Sequence, residues 1–160
     1  MNAQARIGIL HADKSSDSIY CHRSGYPFRV APILLHSYND IQKARELIAL
    51  GDISSLGNNI TPLDDTREHT FDNPQEDTVV AYHRDRGDEW KYVKPMHAKT
   101  MRGLLMNKAA KYIYLFDEST GAWIYSEGTN MYIENPKNGK LEYHKSAHFR
   151  NVTEAAEKNQ

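Results

Sequence analysis

The chain lacks most of the features that announce a function. It has one cysteine, Cys21. That excludes an intramolecular disulfide and a cysteine-rich zinc site, and it suits a reducing compartment. No stretch approaches the roughly 18–20 apolar residues that span a bilayer. The opening MNAQARIGILHADKSSD has no long apolar run of the kind a signal peptide carries. A soluble, cytosolic protein with no membrane partner is the expectation. Charge is balanced, 20 Lys and Arg against 21 Asp and Glu, for a net charge of -1 and a pI near 6.7. A protein whose main task is coating DNA shows a basic excess instead. The sequence contains no G-x-S-x-G, no G-x-x-x-x-G-K-[ST], no G-x-G-x-x-G and no H-E-x-x-H. Those absences remove the standard hydrolase, P-loop, dinucleotide and zincin readings. No catalytic residue, cofactor or resident metal is assigned.

What is present fits one domain. The 160 residues are 39% hydrophobic and 26% charged, enough for a core of its own. Residues 1–17 read as an N-terminal arm or edge strand, 18–150 as a single α+β domain, and 151–160 as a polar tail. The expected fold is one mostly antiparallel sheet of about five strands with two helices packed on one face. The clearest helix runs from about Asp40 to Leu50. Asn39 is its expected N-cap, Ile41, Ala44, Leu47 and Ile48 share one face, and Gly51 closes it. A second helix is expected over Met96–Ala110. Pro32 within Val30–His36 argues against a central strand, leaving an extended connection or the first turn of a helix. Lys111–Phe116 and Ala122–Tyr125 form one hairpin signal; Met131–Glu134 and Lys140–His144, around Asn138-Gly139, form another. The stretch from 58 to 77 is rich in Asn, Pro, Asp and Thr, long for a loop inside a compact domain.

Two stretches stand out by resembling each other. Thr78–Trp90 (TVVAYHRDRGDEW) and Ser18–Pro27 (SIYCHRSGYP) both run from an apolar strand through an aromatic into His-Arg and a Gly-containing turn. If the two strands are neighbours, His22, Arg23, Tyr26, His83, Arg84, Asp85 and Arg86 meet at one sheet end. Arginine forks beside tyrosines suit a phosphate-containing ligand. The competing reading pairs Arg84 and Arg86 with Asp85, Asp88 and Glu89 on a solvated loop. His22, His83 and Asp85 could likewise form a three-ligand metal set, or be ordinary surface and core residues. Cys21 and His22 point to opposite faces of a strand, so they do not make a nucleophile and base.

A different surface comes from the aromatic hairpin. Tyr112, Tyr114 and Phe116 share one face of their strand, with Ile113 and Leu115 on the other. With the aliphatic face buried, Tyr112, Tyr114, Phe116 and Trp123 form a partner-binding surface. With the aromatics in the core, the aliphatics pack beneath a helix.

The strings IYCHRSGYP, ELIALGDISSLG, HTFD, TVVAYHRDRGDE and YIYLFDESTGAWIY, in this order, resemble a family of small proteins encoded by phages and prophages. The likeness covers most of residues 19–126. It implies a context rather than a chemistry: a phage accessory protein in the host bacterial cytoplasm, binding a host or defence protein as a counter-defence or host-takeover inhibitor. The alternative is a binder of nucleotide or nucleic-acid phosphate, acting as a sponge or a metal-assisted phosphodiesterase through the His/Arg cluster.

Overall fold

The strand at the middle of the sheet is β1 (Ala5–Leu10), all six residues of which are buried. The computed structural model describes residues 3–107, 110–127, 132–134, 141–143 and 150–153. β1 runs antiparallel to β2 (Ser16–Cys21) on one side and parallel to β6 (Tyr112–Asp117) on the other. It is therefore neither an arm nor an edge strand. The polar residues after Leu10 form its hairpin turn, where the Ser15 N–H donates to Asp13 Oδ1 at 2.9 Å. Gly8 suits this packed position, because a Cβ there would collide with the Asp17 carbonyl and Ser18 across the pair.

Beyond β2 lie β3 (Ile53–Ser55) and then β4 (Val80–Ala81) at the edge; beyond β6 lie β7 (Ala122–Glu127) and β10 (Arg150–Asn151). β5 (Met96–Ala98) pairs with the first half of β2. Among the described residues the sheet thus has eight strands, not about five, and it is mixed, since β1–β6 and β2–β3 are parallel. β8 (Tyr132–Glu134) and β9 (Leu141–Tyr143) pair as a separate hairpin. The expected turn between them, with His144 and His148, lies outside the described residues, as does nearly all of the tail.

Helices cover both faces, which corrects the expectation of two on one face. Ile7, Ile9, Ile19, Cys21, Tyr114, Phe116, Trp123 and Tyr125 pack against α1 (Pro27–Ser37) and α2 (Ile41–Ile48). On the other face Ile113 and Leu115 lie with Leu104 and Leu105 of α5 (Met101–Asn107). β6 is apolar on both sides, so a single layer of helices could not bury it.

The local reasons are simple. Pro27 occupies the first turn of α1, where its missing N–H costs nothing, and Pro32 sits on the exposed side. α2 begins one residue later than expected: Asp40, not Asn39, accepts the Lys43 N–H at 2.8 Å. Gly51, at φ 77°, turns the chain out of α2. The expected second helix splits, because Met96–Ala98 is taken up by β2 and Thr100 Oγ1 then accepts the Gly103 N–H at 3.0 Å.

Candidate functional site

The two look-alike stretches leave the sheet in opposite directions. Cys21 of β2 pairs with Ile53 of the parallel β3, and Ile53 pairs with Ala81 of the antiparallel β4. β3 therefore separates them, and His22–Arg23 run past one end while Tyr82–Arg86 run past the other. β4 is two residues long and sits at the edge of the sheet. Tyr82–Arg86 turn at once into α3, closed by Gly87 at φ 86°.

Each residue expected in that cluster has its own surroundings. His22 Nδ1 lies 2.9 Å from the Tyr20 hydroxyl. Arg23 is exposed, its N–H donating to Ser54 O at 3.0 Å. Tyr26 stacks on Phe28 at 5.2 Å beside the start of α1. His83 Nδ1 lies 2.8 Å from Asp88 O, with its ring edge against Trp90. Arg84 donates to Asp85 at 2.8 Å, to Ile60 O at 2.6 Å and to Val79 O at 2.8 Å. Asp85 also accepts the Ala81 N–H at 2.7 Å and lies 3.3 Å from His69 Nε2. Arg86 pairs with Asp88 at 2.7 Å and lies over the Phe71 and Tyr82 rings, 4.7 and 4.4 Å from their centroids.

Arg84, Asp85 and Arg86 therefore form a clasp. With His69 and Phe71 they pin the segment 56–79 to the sheet edge, and no common anion site links them to His22 and Tyr26. The motifs HTFD and AYHRDRG are the two halves of that clasp. In the sequence the signal of that pairing is slight, a lone His and Phe inside a polar loop. His22, His83 and Asp85 do not converge, and among the described residues no group of three His, Cys, Asp or Glu is arranged to hold a metal ion.

The aromatic hairpin is not a recognition surface. Tyr114, Phe116 and Trp123 are buried beneath α1 and α2, and Tyr112 is half-buried at the cluster's margin. The polar tips of Tyr114 and Trp123 are spent inside. The Tyr114 hydroxyl donates to Gly25 O at 2.6 Å, and Trp123 Nε1–H donates to Tyr38 O at 2.9 Å. Tyr38 in turn donates to Gly57 O at 2.7 Å. Burial pushes the Tyr114 and Tyr38 hydroxyls above the usual phenol range, and it pushes the Cys21 thiol up to about 12. Cys21 is a core residue, not a nucleophile.

A cleft does form on the other face, beside the part α5 covers. Arg6 of β1 stands directly opposite Tyr20 of β2 and is 3% exposed. Its Nε–H donates to Ser18 Oγ at 2.9 Å and its Nη2 to Ser18 O at 3.1 Å. Asp52, at the head of β3, accepts the Tyr20 N–H at 2.8 Å and donates its own N–H to Val93 O at 2.7 Å. That contact draws in α4 (Trp90–Val93), and it needs a glycine at 51: a Cβ there would meet the Val93 carbonyl and the Trp90 ring. Arg6, Tyr20, Asp52, Tyr92, Lys94 and Met96 line a cleft of about 330 Å³. Burial lowers the Arg6 pKa, and the nearby Asp52 opposes that; a guanidinium keeps its charge in either case. Two cations thus face one carboxylate between two tyrosines. Neither Arg6 nor Lys94 stands in a recognisable motif, so neither is prominent in the sequence.

Comparison of the chain with protein-family models, with curated proteins and with solved structures finds no match. The functional reading rests on the molecule itself.

Proposed function

We propose that the chain binds a small phosphate-bearing ligand of about mononucleotide size in the cleft over Arg6. The observation that supports this is a guanidinium 3% exposed at the wall of an open cleft. Burying a charge is costly unless partners compensate; Ser18 and Asp52 do so in part for Arg6, and the second cation, Lys94, adds to the positive charge of the cleft. The cleft is near the lower end of small-molecule pockets, which run from about 300 to 1,000 Å³. Tyr20 and Tyr92 offer ring surface for a flat group, and Arg6 and Lys94 offer donors for the phosphate. The reading keeps the ligand class expected from the His/Arg stretches and moves its seat to β1 and α4. Titration calorimetry with nucleoside monophosphates and inorganic phosphate tests it. The expected result is binding that weakens about fivefold or more in Lys94→Ala, a modest loss for an exposed charged donor. No binding, or equal binding by Lys94→Ala and Tyr92→Ala, rejects it.

A second reading has its own support. Trp90 and Tyr92, 40% and 74% exposed, stand on one short helix. Solvent-facing aromatics of this kind are common anchors of protein interfaces. They suit a phage accessory protein acting on a host macromolecule in the bacterial cytoplasm. Among the described residues no helix is long and apolar enough to cross a membrane. Capture of a host protein by the wild type and not by a Trp90→Ala/Tyr92→Ala variant supports this reading; capture by both removes α4 as the contact.

A further inference from the structure

His11 follows β1 and Glu118 follows β6, so both side chains emerge at the carboxyl ends of neighbouring parallel strands. Such ends are where open sheets tend to place functional groups. His11 Nε2 lies 2.6 Å from Asp17 Oδ2, and His11 Nδ1 lies 3.2 Å from Glu118 Oε1. A neutral imidazole has one N–H and one lone pair, so one of the two contacts would set a lone pair against a carboxylate oxygen. Only the imidazolium donates through both nitrogens. The surrounding charges are few. His97, from β5, places Nδ1 2.9 Å from Asp17 Oδ1, and Arg45, from α2, places Nη2 3.7 Å from Glu118 Oε1. Asp13, in the β1–β2 turn, feels the charge on both histidines.

We propose that His11 is a proton-operated latch: as imidazolium it ties the ends of β1, β2 and β6 together, and on losing its proton it releases Glu118. The bond sets the shape of a cleft of about 460 Å³ lined by Ile9, His11, Asp17, Arg45, Ile48 and Glu118, among others. Release therefore changes that cleft. Burial works against the charge on His11, but the bonds to Asp17 and Glu118 outweigh it and raise its pKa. Asp17 is the reciprocal case: burial raises its pKa, the bonds from His11 and His97 outweigh that, and the net shift is downward. A raised imidazole pKa contributes stability that is fully present below the unfolded value, about 6.5, and is lost as pH rises through the folded value. The lowered Asp17 pKa contributes stability present above about 3.9 and lost as pH falls through its folded value. The latch is closed between those two limits.

The test is a pH titration of the full chain by NMR. It follows the His11 ring nitrogens together with the protection of the Glu118 amide, which donates to Leu10 O at 3.0 Å. The expected result is two protonated ring nitrogens below a midpoint above about 6.5. Glu118 protection, corrected for the intrinsic rise of exchange with pH, falls across the same midpoint. His11→Asn abolishes that fall; should it not fold, Asp17→Asn must lower the His11 midpoint. A midpoint at or below that of a free imidazole overturns the latch, and so does Glu118 protection that stays flat across it.

Discussion

The two faces of the sheet differ in how completely they are closed. Under α1 and α2, aromatic side chains fill the space and their polar atoms bind backbone carbonyls of distant segments. On the opposite face α5 is only seven residues long and seals the β6 side alone. The rest of that face is polar, with Arg6, Ser18, Tyr20 and His22 in a row, and the α4 segment partly roofs it. The same strands thus serve a core on one side and an open cleft on the other. A closed face must satisfy every polar tip internally, whereas a face left open can keep charged groups available for something else.

That contrast can be broken by mutation. Trp123→Ala removes a fully buried side chain and its hydrogen bond to Tyr38; a loss of about 3–5 kcal/mol in a denaturant melt is expected. Asp85→Ala should cost about 2 kcal/mol, because the buried Ala81 N–H loses its partner, while Arg84 keeps two carbonyl partners and His69 keeps the Val79 carbonyl. Its local signature is faster proteolysis within residues 56–79. Tyr114→Phe leaves the ring in place and only the Gly25 carbonyl unpaired, for a loss of about 1 kcal/mol. Tyr92→Ala should change stability by no more than about 0.5 kcal/mol while weakening phosphate-ligand binding. A large destabilisation by Tyr92→Ala would show that the second face is as closed as the first.

The legible parts of the sequence were those governed by local physics. The period of Ile41, Ala44, Leu47 and Ile48 gave α2 to within a residue or two, and the Asp117–Gly121 turn gave the β6–β7 hairpin. What misled was anything decided by partners far along the chain. ARIGIL looks like an arm or edge strand because only its β2 partner is local, while β6, which covers its other side, comes far along the chain. TVVAYHRDRGDEW opens like a buried strand, yet it contributes two strand residues at an edge and a short helix. The alternation in KYIYLF holds in β6, but both of its faces are covered, so no aromatic surface is left over. Arg6, His11 and Glu118 gained meaning only through register, which a single sequence does not display.

The parallel pairing of β1 with β6 has a consequence for how the molecule is made. His11 and Glu118, which meet at its end, are 107 residues apart in the chain. While the chain is being synthesised, β1 can form its hairpin with β2 early, but its other edge stays unpaired until β6 has left the ribosome. Contacts this distant slow folding, and an uncovered apolar strand edge invites pairing with other chains. A nascent chain halted before residue 112 would therefore present ARIGIL as a sticky edge. Assembly of this sheet is a waiting problem, and the strand that waits longest is the first one made.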